Sequence, residues 1–306
     1  MVTADQTFTE NAPLSILLAF DDDTAARAAI RLTATLCRKF GSIPTVLRVI
    51  ELGRYLTPEA LPEVANAEEL ILAADATHEY RNHMLDRVAW LAGAPVDWRA
   101  ELDVGDDVRC IIRRAETIGA QLIVMGLEHH GTLRRAFVGD TVHQVMASGI
   151  APVLAVTPSL ETLPSHVVVG MDFTTSSIRA AHWARRLVRP DGVIDLIFVT
   201  PSGSVDRISR DVIAGNPAAP DTDADARFAK LIQELAPTPA MQIKVVRRSG
   251  SAADELCDYA QEVGADMIAV GSHRRNLLER IWLGSVSTAV VHDARCSVLV
   301  TPPEPA

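Results

Sequence analysis

Gly264-Ala-Asp-Met-Ile-Ala-Val-Gly271 decides how this chain is read, because Gly119-Ala-Gln-Leu-Ile-Val-Met-Gly126 repeats its pattern 145 residues earlier (126 to 271). Both stretches run from a turn glycine through a short apolar strand to a second glycine. The same offset pairs Gly105 with Gly250, Gly139 with Gly284, and Pro152-Val153-Leu154 with Ser297-Val298-Leu299. Near the start of each copy the offset becomes 151 and pairs Asp21 with Asp172. The first copy is therefore six residues longer (84 from Asp21 to Gly105, against 78 from Asp172 to Gly250). That difference falls in the middle of the repeat, where insertions are tolerated best.

Outward from these segments, apolar strands alternate with helical periodicity. The first copy predicts strands over Ser15–Phe20, Thr45–Ile50, Val96–Asp103, Leu122–Met125 and Val153–Val156. Its helices are predicted over Thr24–Lys39, Glu68–Leu91, Val108–Ile118 and Thr141–Ser148. The second predicts strands over Val167–Met171, Val193–Val199, Gln242–Arg247, Met267–Val270 and Val298–Thr301. Its helices are Ser176–Val188, Asp223–Ala236, Ala252–Val263 and Val286–Asp293. Short apolar strands alternating with helices build a parallel sheet covered on both faces. The expected fold is α/β, with two doubly wound domains over residues 1–158 and 164–306. Each has a five-stranded parallel sheet.

Composition agrees: 48% apolar and 22% charged residues describe a globular chain, and only 5% aromatics mean aliphatic cores. A formal charge of −10 argues against general nucleic-acid binding. No run approaches the ~20 apolar residues of a membrane span, and Met1–Pro13 has no signal-peptide pattern, so the cytoplasm is the expected compartment. Cys37, Cys110, Cys257 and Cys296 are scattered without a CxxC pair, which reads as buried thiols rather than zinc ligands or disulfides. Asp21-Asp22-Asp23 reads as a solvated helix entry before a Mg²⁺ site, and His129-His130 has no third ligand at suitable spacing. Arg134-Arg135 and Arg274-Arg275 line a phosphate pocket or are plain surface charge, and the Gly/Pro/Ser/Asp-rich stretch Pro201–Asp223 reads as a loop. GxxxxGK[ST], HExxH and GxSxG are all absent, and no nucleophile with an assignable base emerges, so an enzyme is not the expectation.

In open α/β sheets ligands collect at the carboxyl ends of the strands. There each copy places an aspartate after its first strand (Asp21, Asp172), a glycine after its third (Gly105, Gly250), and a loop running from Gly126 to Gly139 or from Gly271 to Gly284. A helix beginning at Gly284-Ser285-Val286-Ser287 would offer unpaired amides and the positive end of its dipole to a phosphate. The same glycine-serine pair also makes an ordinary helix start, and Asp172 an ordinary N-cap.

On these residues the chain resembles the universal stress protein family in its tandem form. The family loop runs Gly, two residues, Gly, nine residues, Gly, then Ser or Thr. Here it is Gly271-Ser272-His273-Arg274 followed by Gly284-Ser285, and in the first copy Gly126-Leu127-Glu128-His129 followed by Gly139-Asp140. Asp172-Phe173, Gly264-Ala265-Asp266 and Cys296-Ser297-Val298-Leu299-Val300 match as well. The resemblance implies a stress-response binding or signalling module whose ATP-binding members hold adenine at the first-strand aspartate and phosphates at the glycine loop. Carried over, the site is Asp172, Gly250, Gly271, Ser272, Arg274, Gly284, Ser285, Val286 and Ser287. A weaker copy comprises Asp21, Gly105, Gly126 and Gly139. Mg²⁺ would come only with ATP. The resemblance also implies that the two domains pack as a pseudo-dimer, and the terminal strands Val153–Val156 and Val298–Thr301 are candidates for that contact, since an unpaired edge invites pairing. Arg274 and His129 stand where the loop's second glycine belongs, and Asp140 where Ser or Thr belongs. A side chain there hinders close backbone approach, although Arg274 could lend a positive charge; Asp140 would repel a phosphate. Two alternatives stay open: a nucleotide-independent interaction protein that has lost the site, and a slow ATP hydrolase. Further homo-oligomerisation is compatible with either, and the sequence names no protein partner.

Overall fold

The computed structural model describes residues 12–21, 25–50, 74–127, 139–201, 222–235, 238–272 and 284–303. His129, His130, Arg134, Arg135, Arg274, Arg275, Asp22, Asp23, nearly all of the 201–223 loop and the start of the helix predicted from Glu68 lie outside them.

In the first half, β1 (Ile16–Ala19), β2 (Thr45–Ile50), β3 (Arg99–Val104), β4 (Leu122–Gly126) and β5 (Val153–Val156) alternate with α1 (Ala26–Phe40), α2 (Ala74–Ala92), α3 (Asp107–Ile118) and α4 (Gly139–Ser148). The second half follows with β6 (His166–Met171), β7 (Val193–Thr200), β8 (Gln242–Ser249), β9 (Met267–Gly271) and β10 (Ser297–Thr301). Its helices are α5 (Thr175–Leu187), α6 (Thr222–Leu235), α7 (Ala252–Glu262) and α8 (Ser285–Asp293). These strands are short and apolar because both their faces are buried: β4, β5 and β9 are nearly continuous Val, Ile, Leu, Met and Ala.

Each half has five parallel strands in the order third, second, first, fourth, fifth, and the two sets join into one ten-stranded sheet, β3-β2-β1-β4-β5-β10-β9-β6-β7-β8. The join is the antiparallel pair β5·β10, with Val298 opposite Ala155, Leu299 opposite Leu154 and Val300 opposite Val153. The terminal strands thus make the contact expected of them, and they bury what would have been two exposed sheet edges. Buried hydroxyls reinforce the seam: the Thr157 amide donates to Ser297 Oγ at 3.0 Å, and the two side-chain oxygens lie 3.1 Å apart. Outside the sheet, Lys39 Nζ donates to the Arg186 carbonyl oxygen (2.6 Å), and Arg186 stacks over the Phe40 ring.

Two apolar layers result, one per sheet face, and each runs through both halves. One layer packs α1, α2, α5 and α6 against residues such as Leu18, Val124, Val169 and Leu299. The other packs α3, α4, α7 and α8 against Leu17, Ile123, Val168, Ile268 and Val298. Among the described residues, no helix is long and apolar enough to cross a membrane.

Observed boundaries differ from the periodicity at a few ends. β3 begins at Arg99 rather than Val96, because its only partner strand is β2 and the pairing starts at Thr45 opposite Arg99. β8 runs two residues past Arg247, paired with Val199 and Thr200, and the arginines that break the apolar pattern are satisfied by Asp225, Glu255 and Glu262.

Candidate functional site

In each half the strand order reverses between the first and fourth strands, and such a switch point leaves a crevice at their carboxyl ends. In the second half this crevice lies between β6 and β9 and continues along the sheet face under α7 and α8. It forms a cleft of about 1080 Å³, just above the ~300–1,000 Å³ usual for small-molecule sites. Its floor is apolar: Gly170, Ile197, Val199 and Val270 from the strands, and Leu256 from α7. Asp172 and the first turn of α8 add polar groups to its lining.

That turn is built to receive an anion. Gly284 precedes α8 in extended conformation (φ −62°, ψ 155°) and brings no side chain to cap it, and the first turn holds no acidic residue. The first helical bond closes from the Thr288 amide to the Gly284 carbonyl at 2.9 Å, so the amides of Ser285, Val286 and Ser287 have no partner within the helix. Ser285 and Val286 are exposed at the cleft, whereas Ser287 is buried and its hydroxyl donates back to the Gly284 carbonyl at 3.2 Å.

Asp172 is not the N-cap of α5. Thr174 takes that place, its side chain accepting from the Ser177 amide, and Asp172 braces it: Oδ1 accepts from the Thr174 amide (3.0 Å) and hydroxyl (2.6 Å). Between them Phe173 adopts φ +60°, the only positive φ of a non-glycine residue among those described. A bulky side chain there stores about 1–3 kcal/mol of strain, which persists only where surroundings enforce it. The Phe228 ring (4.7 Å between centroids, edge-on), the Phe198 ring (5.6 Å) and the Arg227 guanidinium supply the enforcement. No sequence signal marks this turn, since nothing local distinguishes Phe173 from an ordinary loop residue.

Gly271 has a duty unconnected with any ligand. A Cβ there would lie 2.5 Å from the Ser176 carbonyl carbon and 2.6 Å from the Ser177 nitrogen, so only glycine lets α5 start against the end of β9. Gly271 does line the cleft, as do Asp172, Gly284, Ser285, Val286 and Ser287; the structure brings these six together. Gly250 and Ser272 stand off its wall. Gly250 turns the chain from β8 into α7 at φ +151°, as Gly105 does between β3 and α3 at φ +134°, a conformation that L side chains resist. Ser272 is buried, and its amide (2.8 Å) and hydroxyl (3.4 Å) both donate to the Thr301 carbonyl.

The first-half counterpart is arranged differently. Asp21 pairs with Arg48 on β2 (2.7 Å), whose guanidinium also lies over the Phe20 ring. By strand register the second half has Phe198 where Arg48 stands. Gly126 ends β4, and Gly139 is the first residue of α4.

The thiols are not poised as nucleophiles: burial pushes Cys37 and Cys296 up to about 12 and Cys257 up to about 11. Away from the cleft, at the amino end of the sheet, buried Asp195 accepts from His166 Nε2 (2.8 Å) and the Tyr259 hydroxyl (2.9 Å). Burial raises its carboxyl pKa, but these bonds prevail and hold it below the usual range.

Sequence comparison places this geometry among known proteins. The universal stress protein family matches residues 14–157 and again 164–302. Universal stress protein G of Shigella flexneri is 30% identical over 136 residues, 44% of this chain and 92% of that protein. A Methanocaldococcus jannaschii universal stress protein is 35% identical over 71 residues, 23% of this chain and 42% of its own. A universal stress protein of Archaeoglobus fulgidus superposes with a TM-score of 0.65 at 22% identity, over 97% of this chain and all of that one. The chain belongs to the universal stress protein family, which it carries in two tandem copies.

Proposed function

We propose that the C-terminal cleft binds an adenine nucleotide, ATP in the first instance, and that the chain acts as a non-catalytic binding or signalling module. The observation that carries this reading is the first turn of α8, entered through a glycine with no capping side chain, lining a roomy cleft together with Asp172. Three amides with no partner within the helix, together with the helix dipole, suit the phosphates. The apolar floor of Ile197, Val199 and Leu256 suits the base, and the exposed Asp172 carboxylate suits a ribose or base-edge donor. Binding is confined to this half, because Asp21 is held by Arg48 and Asp140 follows Gly139 at the start of α4.

Calorimetric titration of ATP into the full chain tests this. Wild type is expected to bind one equivalent saturably, and Gly284→Asp, which sets a carboxylate at the helix entry, to lose at least tenfold in affinity. No saturable binding by wild type, or binding indifferent to Gly284→Asp, refutes the reading. ATP turnover that Asp172→Ala abolishes would replace the non-catalytic reading with a hydrolase.

A further inference from the structure

The cleft of the C-terminal half is not built from that half alone. His143, on α4 of the N-terminal half, forms part of its wall. The ring Nε2 lies 3.3 Å from the Thr288 carbonyl oxygen, a contact that requires the proton on Nε2. Thr288 follows Ser285–Ser287 directly, so the imidazole meets α8 close to its N-terminal turn. The join β5·β10 and the packing of α4 against α8 hold it there, since both fix the two halves in one frame.

We propose that His143 completes the ligand site in trans, its Nε2–H turning from the Thr288 carbonyl to the phosphate portion of a nucleotide bound at α8. The proposal rests on the nucleotide reading above. Thr288 is the counterpart of His143 at the 145-residue offset (143 to 288), so the two positions meet across the pseudo-twofold relation of the halves. The exchange is one-sided: the N-terminal half lends an imidazole, and the position that would answer it holds a threonine. Neither half alone then presents the whole site, which gives the tandem arrangement a functional consequence beyond closing sheet edges.

The test is calorimetric titration of ATP and of adenosine into full-length wild type, His143→Ala, His143→Gln and Gly284→Asp. Because the bond to the anion replaces one to a carbonyl, His143→Ala is expected to bind ATP about three- to tenfold more weakly. Adenosine affinity is expected to stay unchanged, and His143→Gln to recover part of the loss. If both His143 variants bind ATP as wild type does while Gly284→Asp loses binding, this inference falls and the nucleotide reading stands. If wild type binds no ATP, or Gly284→Asp binds normally, both fall together. Should His143→Ala fold poorly, the imidazole resonances of His143 in wild type decide the matter. They are expected to shift on saturation with ATP and not with adenosine, and unshifted resonances overturn the proposal.

Discussion

Replacing Gly271 with alanine separates the structural duty of this glycine from any role in binding. The new Cβ would lie 2.5 Å from the Ser176 carbonyl carbon, 2.6 Å from the Ser177 nitrogen and 2.7 Å from Ser176 Oγ. Carbon contacts are comfortable at about 3.5–4.0 Å, so the first turn of α5 must retreat by about 1 Å. Two of the three neighbours are backbone, which no rotamer change relieves. Thr301 Oγ1 also donates to the Ser176 carbonyl at 2.9 Å, and a retreating α5 stretches that buried bond. Overpacking of this kind costs about 1–3 kcal/mol. Spread over a domain of this size it lowers the melting temperature by about 2–4 °C for each kcal/mol. Calorimetric melting of nucleotide-free Gly271→Ala is therefore expected to show a fall of about 2–12 °C. A melting temperature within about 1 °C of wild type would refute the steric argument and return Gly271 to the ligand as its sole reason.

Three further outcomes are expected. Tyr259→Phe removes a bond to a buried carboxylate and is expected to destabilise the chain by about 1.5–3 kcal/mol in urea titration. Because the folded pKa of Asp195 is depressed, its ionised state contributes stability that is fully present above the unfolded value of 3.8 and lost as pH falls through the lower folded value. The gap between wild type and Asp195→Asn is thus expected to be widest at neutral pH and to close in acid, as read from unfolding free energies across pH 2–7. Ser297→Ala leaves the buried Thr157 amide without its acceptor at the seam and is expected to cost about 1–3 kcal/mol, seen as a lower denaturation midpoint.

Much of the architecture was legible in the residues because it depends on local chemistry repeated twice. Turn glycines at matching offsets adopt matching backbones: Gly119 and Gly264 both end helices near φ +60°. Strands covered on both faces announce themselves as unbroken apolar runs, as β4 and β9 do. The edge strands were the least legible. An edge has one partner, so pairing alone decides where β3 starts, and ion pairs let Arg247 and Arg248 lie within β8. Of the candidate site, Asp172, Gly271 and the Gly284–Ser287 turn come together, while Gly250 and Ser272 serve the backbone around it.

The sequence by itself settles two copies of an α/β unit, the order of their elements and the strand ends at which a ligand could sit. Hydrophobic period, glycine spacing and helix starts act over a few residues, and a repeat states each of them twice. Only the folded chain decides that Gly271 is required by α5, that Thr174 rather than Asp172 caps that helix, that Phe173 is held in a strained turn, and that His143 stands in the other half's cleft. Each of these depends on backbones brought together from distant parts of the chain, a proximity that no local pattern encodes.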